Sequence, residues 1–535
     1  MNPERSTTRL LSLFALLFPL VVVPVGNEFF YQGRFFVLTV VGCAAFYLGW
    51  AGGDWRRLKL APAAGGALAA FFLLLLASTL QAPDATTAWL GSHRCTGFLT
   101  WLFCGLLFLL AAAQPEPAAL LPPLVRGGMA VAVFTWLQHA GLNLVPHEPF
   151  RDGWLNGYGT MGNPNFLAGY VVLLLPAAWF LYLRTRDARW LAAAALLAGA
   201  LLISQTRGAW LAAAGVALGF AAASWRRPAA RPRLAALGAV TAGVAIALIL
   251  ASGPLRERAG SIGAEVSAAG RLEAKAGSSR IFMWRETLRR LPAHWALGLG
   301  LDHLGRQGIR LPGKHMDAWV DKAHNIFLEL AVTAGVPALL LYLALLALVL
   351  RPWEVAGWLP WGLMGGGYLL HGLFSIDVIM VLPLFWLTLG LAAAAARSRW
   401  LEPGTNVAIK NAKIQSQEAP MARWRAFTLI EIIIVVTIIG LLAILAIPSF
   451  LKSRALSRAN ICVNNLRLID SAKSILALEK RLEEEVVPSE ADVDKYIKTK
   501  PFCPAGGTYD YASIGEAPKC SYATEDPRHA LPASP

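Results

Sequence analysis

Charge is what this chain has least of: 15% of its 535 residues are Asp, Glu, Lys or Arg, against 56% hydrophobic. The first four hundred residues hold no Asp-x-Asp pair to grip a nucleotide-sugar metal, no Gly-rich phosphate loop and no G-x-S-x-G elbow. Metal-dependent or nucleotide-driven chemistry is therefore not expected there, and neither is a cofactor. Cys43, Cys95 and Cys104 lack C-x-x-C spacing, which argues against metal or redox roles for them. The net charge of +15 would suit a nucleic-acid binder. Its arginines, however, gather in short clusters between apolar blocks, as membrane orientation signals do, so no nucleic-acid partner is expected.

What the chain does have is apolar runs, and its mean hydropathy is +0.51. They cover residues 10–25, 35–51, 62–80, 97–113, 124–140, 164–183, 190–204, 208–224, 234–251, 325–350, 357–374 and 377–396. Runs of this length predict an all-α polytopic membrane protein with about twelve transmembrane helices. Val21-Val22-Val23-Pro24-Val25 offers no small-x-small cleavage site, so the first run is expected to stay as an anchor.

Threading the helices with the N-terminus in the cytoplasm puts Arg5, Arg9, Arg56, Arg57, Lys59, Arg126, Arg184, Arg186, Arg189, Arg226, Arg227, Arg231, Arg233, Arg351, Arg397 and Arg399 inside. Only Arg34, Arg94, Arg151 and Arg207 fall in short outside loops. This asymmetry fixes the expected topology and places the polar loop 253–322 outside. That loop is the one long water-facing stretch of residues 1–400, so chemistry there has little else to use.

Beyond Arg399 a polar, patternless linker, 401–426, precedes another apolar run, Phe427 to Ile447. A further span is expected, with residues 449–535 emerging on the outer side. From Ser449 a rough helical period runs to about Leu482, followed by a small region rich in Gly, Pro and Tyr.

Few residues offer chemistry. His324, in Lys322-Ala323-His324-Asn325, stands where the polar loop meets an apolar helix, and a neutral imidazole there could take a proton. Spacing alone favours the plainer reading of a helix-capping or lipid-interface histidine. Arg280 opens an amphipathic stretch, Ser279 to Leu288, with Ile281, Trp284 and Leu288 expected on one face; a headgroup contact and a substrate contact explain it equally. Arg207 sits alone between two helices and calls for an anion or carbonyl partner, or snorkels. In Gly162-Asn163-Pro164-Asn165, Asn163 suits a helix cap and Pro164 a first turn, so helix initiation explains that motif without function.

Taken in order, Gly159-Thr160-Met161-Gly162-Asn163-Pro164-Asn165, Thr206-Arg207-Gly208-Ala209-Trp210, Ser279-Arg280 to Trp284, Pro292 to Gly300 and Ala323-His324-Asn325 resemble the O-antigen ligase family. That family includes pilin-glycosylating O-oligosaccharyltransferases and is related to O-antigen polymerases. Thr206 stands where the family often has Ser, and Met161 where an aromatic is common. The resemblance covers most of residues 1–400 in architecture. It implies glycan transfer from undecaprenyl diphosphate to an acceptor hydroxyl in the periplasm, at the bacterial inner membrane. Carried over by position, Arg207 and Arg280 would clamp the diphosphate, and His324 would accept the hydroxyl proton or orient the acceptor. Guanidinium forks supply fixed bidentate charge to a diphosphate where no metal is used.

Arg423-Trp424-Arg425-Ala426 followed by Phe427-Thr428-Leu429-Ile430-Glu431 resembles a type IV pilin or pseudopilin leader, with Ala426 where Gly is usual. The resemblance implies cleavage between Ala426 and Phe427 by a prepilin peptidase, an α+β pilin domain over 427–535, and assembly with other pilin subunits. Glu431, alone in its apolar run, costs about 2.5–3.5 kcal/mol in lipid and would pair with the processed amine of a neighbouring subunit. The tail from Cys503 to Cys520 resembles short pseudopilin-type proteins, in which a disulfide fits an oxidising compartment. Cys462 leaves the count odd and the pairing open. The expected protein is thus a membrane glycosyltransferase fused to a pilin-like subunit, with the pilin or a lipopolysaccharide-type molecule as acceptor. An O-antigen polymerase or lipopolysaccharide ligase with a passenger pilin is the nearest alternative, and a non-enzymatic scaffold delivering a structural pilin the next.

Overall fold

The structure, a computed structural model, describes residues 3–23, 29–51, 58–145, 157–261, 267, 271, 276–310, 320–351, 359–397, 458–497 and 500–531. The chain divides into two compact units, Met1–Lys410 and Asn411–Pro535. The linker 401–426, the apolar run 427–447, Ala426, Phe427, Glu431 and Arg151 lie outside the described residues.

In the first unit the helices are α1 (Pro3–Leu17), α2 (Gln32–Ala51), α3 (Pro62–Gln81), α4 (Ala85–Leu90), α5 (Phe98–Ala112), α6 (Leu121–His139), α7 (Pro164–Thr185) and α8 (Ala188–Ile203). They continue as α9 (Arg207–Trp225), α10 (Arg231–Ala251), α11 (Gly253–Gly260), α12 (Ala276–Arg290), α13 (Ile326–Ala334), α14 (Val336–Leu350), α15 (Leu359–Gly372) and α16 (Leu382–Arg397). Among the described residues six helical stretches are long and apolar enough to cross a membrane: Gln32–Ala51, Pro62–Gln81, Pro117–His139, Pro164–Thr185, Arg207–Trp225 and Pro228–Ala251. The chain is a mostly helical, multi-pass membrane protein. The other apolar runs of this unit form shorter helices, such as Phe98–Ala112 and Ala188–Ile203.

α7 is the hub of this unit, packing against α8 and α15, while α5 packs against α16 and α2 and α3 against α14. Burial follows: 83% of the most apolar window of Pro164–Thr185 is inside the protein, against 11% for Pro228–Ala251, which leaves α10 at the rim. An aromatic cluster ties the other side, with Phe71 stacked on Tyr342 at 5.5 Å and on Trp386 at 6.2 Å.

The apolar run 325–350 is not one helix. It breaks at Gly335, where φ is +93° and a Cβ would meet the Ala296 carbonyl oxygen at 2.2 Å. The segment from Trp295 to Gly300 wedges into the break and satisfies its backbone. Leu299 N–H donates to Val332 O (2.9 Å), Gly300 N–H to Thr333 O (3.0 Å), and Val336 N–H to Trp295 O (2.7 Å). The Ser78 hydroxyl adds a bond to Thr333 O, and the Gln81 amide one to Gly298 O. A helix interrupted within an apolar region survives only when protein supplies the missing partners. Hydropathy could not show this break, because the groups that fill it lie far away in sequence.

In the second unit a helix over 458–480 is followed by a short helix, Glu490–Val493. The strands among its described residues are an antiparallel two-residue pair, β1 (Tyr509–Asp510) and β2 (Lys519–Cys520), with Tyr509 opposite Cys520.

Candidate functional site

Each motif starts as local backbone chemistry. The Asn163 side chain caps α7 by accepting from Asn165 N–H at 2.8 Å, with Pro164 in the first turn, as its sequence suggests. Asn165 goes further, because its Oδ1 lies 3.3 Å from the Thr206 hydroxyl, which docks the start of α9 onto the start of α7. Arg207 is the first residue of α9, and its Nη1 donates to Ser261 Oγ at 2.9 Å. Ser261 ends α11, from which Arg258 reaches the Gln205 carbonyl. Arg258 therefore stands beside Arg207, a neighbour that no sequence spacing indicates.

Arg280 lies on α12, but the face this helix buries differs from the expected one. Met283 and Thr287 are buried, whereas Leu288 is 49% exposed. Met283 packs with Leu299, Ala323 and Val332, so contact with α13 rotates the inward face away from the one hydropathy picks.

His324 is half-buried and has φ +52°, a left-handed conformation that a non-glycine residue keeps only when its surroundings enforce it. Both flanks do so. Asn325 caps α13 by accepting from Phe327 and Leu328 N–H, and Ala323 N–H donates to Glu329 Oε2 at 2.7 Å.

Beneath this turn lies a buried ionic network. Lys322 Nζ sits 2.5 Å from Asp302 Oδ1 and 3.2 Å from Glu329 Oε1, and donates to Thr96 Oγ1. Asp302 also accepts from Ser92 through its N–H (2.6 Å) and hydroxyl (2.9 Å). Burial opposes the Lys322 charge, but the carboxylates of Asp302 and Glu329 outweigh it and hold the ammonium above the usual lysine range. Burial likewise pushes the Asp302 carboxyl up, yet Lys322 and Ser92 bring it below its ordinary value. A cavity of about 20 Å³, room for about one water, opens among Thr96, Asp302, Lys322, Glu329 and Asp377. Beside His324, Asp321 pairs with Arg94 at 2.5 Å, and its carboxylate also interacts with His93 and His324. Burial raises the Asp321 carboxyl, but Arg94 and His93 more than reverse that.

The turn after α15 brings the motif segments to one place. Phe374 lies against Gly208, where a Cβ would be 3.1 Å from its own, and its ring is 6.2 Å from that of Trp284, one turn beyond Arg280. Gly372 lies against Ile326, where a Cβ would meet Cδ1 at 2.4 Å. His371 lies near Arg280 and faces Gly169 of α7. Thus α7, α9, α12 and α13 meet around residues 371–374, which no motif named. Arg34 is another surprise: it is fully buried and donates to the Phe30, Pro19 and Thr160 carbonyls, which locks the 159–163 turn in place. Of the arginines threaded to short outer loops, Arg34, Arg94 and Arg207 are all engaged in or beside this site.

In the second unit Cys503 and Cys520 form no disulfide; both are free thiols, buried with Cys462 and His529.

A family model described as O-antigen ligase matches residues 192–343, a span that contains Arg207, Arg280 and His324. Over 58 residues the chain is 47% identical to the type IV major pilin protein PilA of Myxococcus xanthus (strain DK1622), which takes in 11% of this chain. The chain spans 26% of the length of that curated relative. Both resemblances read from the sequence, to O-antigen ligases and to type IV pilins, are matched by these findings.

Proposed function

We propose that the first unit is a glycan transferase of the O-antigen ligase type, moving a glycan from undecaprenyl diphosphate to an acceptor hydroxyl at the periplasmic face of the bacterial inner membrane. The observation that carries this reading is the convergence on residues 371–374, which draws the helices bearing Arg207 and Arg280 and the helix capped beside His324 around one point. Two guanidiniums and one imidazole suit the reaction. The acceptor oxygen attacks the anomeric carbon, the bond from that carbon to the diphosphate oxygen breaks, and undecaprenyl diphosphate leaves with its electron pair. Arg207 and Arg280 hold the diphosphate as its charge grows, and Arg258 stands ready to add to them. His324 takes the hydroxyl proton, kept in place by its strained turn and by the Lys322 network beneath. No metal is assigned to this step.

The reading extends to topology and to the second unit. With about twelve spans, counting the shorter apolar helices, residues 253–322 lie in the periplasm on this reading. The pilin resemblance adds a domain over 427–535, cleavage after Ala426 on the cytoplasmic side, and Glu431 as an assembly contact. Transfer should be assayed with purified protein and a defined undecaprenyl-diphosphate glycan. His324→Ala should cut transfer by roughly 100- to 10,000-fold, the usual contribution of a general base, with the melting temperature unchanged. Transfer at the wild-type rate in that variant overturns the assignment.

A further inference from the structure

We propose that Cys462, Cys503, Cys520 and His529 bind a single zinc ion that closes the core of the second unit. The four residues come from separate places: Cys462 from the helix over 458–480, Cys503 from the turn before Pro504, Cys520 from the end of β2, and His529 from a 3-10 turn, Pro527–His529. All four are buried, and their ligating atoms lie within 4.8 Å of one another. Cys503 Sγ is 3.7 Å from His529 Nδ1. Tetrahedral zinc, with bonds of about 2.3 Å to sulfur and about 2.0 Å to nitrogen, sets three sulfurs and one nitrogen roughly 3.5–3.8 Å apart. Small shifts would therefore seat the ion.

The ligand arithmetic favours a metal over a disulfide. Pairing any two of the three thiols leaves the third and the imidazole outside the bond, whereas one ion uses all four. Three thiolates and one imidazole form a closed structural set that suits zinc, and no position is left open for catalysis. The backbone is arranged for thiolates as well. Ala505 and Gly507 N–H point to the Cys503 sulfur and Tyr522 N–H to that of Cys520. Gly507 comes so close that a Cβ would lie 3.0 Å from Cys520 Sγ and 2.9 Å from Tyr522 Cβ. This unit also needs a staple. Its apolar clusters are small, and one of them has Cys462, Cys503 and Cys520 together with Leu466 as its buried residues. An ion there would tie the long helix to the last described turn of the chain.

The test uses full-length protein purified without added metal or chelator. Elemental analysis should find about one zinc per chain, as a closed four-ligand site demands. Alkylation in denaturant without reductant, mapped by peptide, should modify Cys462, Cys503 and Cys520 completely once a chelator is present. Cys503→Ser with His529→Ala should lose the zinc. Should that variant misfold, cobalt exchanged into the wild-type chain gives a second reading: intense tetrahedral bands with thiolate charge transfer support the site. A disulfide-linked peptide joining any two of the three cysteines overturns the proposal. So does zinc that persists in the double variant, or cobalt that shows only weak octahedral absorption.

Discussion

Lys322 and Asp302 form a 2.5 Å ion pair whose side chains are both almost wholly out of solvent, two residues before the proposed base His324. Removing one member of such a pair strands the other charge in a medium that cannot solvate it, which costs about 3–5 kcal/mol. Lys322→Met leaves Asp302 and Glu329 as facing carboxylates, so a large drop in thermal midpoint is expected in detergent. Adding Asp302→Asn should restore part of it. A Lys322→Met protein that melts like wild type would mean the network is hydrated and adds nothing to the turn.

The same pair fixes how stability should follow pH. Asp302 is held below its ordinary value, so its contribution is full above about pH 4 and is lost as pH falls through the folded value. Lys322 is held above its ordinary value, so its contribution is full below about pH 10 and is lost only as pH rises through the folded value. Between these limits the pair should leave the melting temperature flat. Melting recorded over a pH series in detergent checks this, and a steep change between those limits would mean that the pair does not set the stability of the turn.

The two arginines make a sharper chemical prediction. Arg207→Lys and Arg280→Lys keep the charge but lose the planar fork, and hydrogen bonds to charged groups are worth about 1.5–3 kcal/mol. Each should lower kcat/KM for the lipid-linked donor by roughly ten- to a hundredfold. Phe374→Ala, which loosens the packing between the helices that carry them, should raise KM for the donor with little change in melting. If both lysine variants work normally, these side chains serve the lipid surface and not the leaving group.

Much of this was legible in the sequence, for a physical reason. Apolar runs and caps are local, so the helices, the Asn163 cap and the His324-Asn325 junction could be read directly. Lys322 could not, because its partners Asp302, Glu329 and Thr96 are scattered over more than two hundred positions. Nor could the break at Gly335, which exists only because Trp295 to Gly300 fills it. Phe374 lies in an apolar run like any other, and nothing but packing reveals that it touches two motif helices. One signal was used for Arg207 alone: arginines that break the inside bias should have something to hold, and Arg34 and Arg94 do as well.

The last prediction concerns the acceptor, and rests on the proposed topology. Joined to the transferase by the segment 401–426, the pilin-like domain would be presented at an effective concentration that reaches about the millimolar range for a flexible tether. We expect prepilin peptidase to cut between Ala426 and Phe427, and the released fragment to carry glycan added by its own enzyme. Ser521 is an exposed hydroxyl that already accepts from Thr508 N–H at 2.9 Å, so its oxygen is held in one place; Ser513 is half-buried and less open to attack. Intact-mass spectra of the fragment should be compared between cells with wild-type enzyme and cells with His324→Ala, both shown to make the lipid-linked glycan. A mass beginning at Phe427 with a sugar increment in the wild type alone fits self-presentation. Identical masses would make the pilin a passenger and send the search to a lipid or polysaccharide acceptor, while an N-terminus elsewhere would reject the cleavage site.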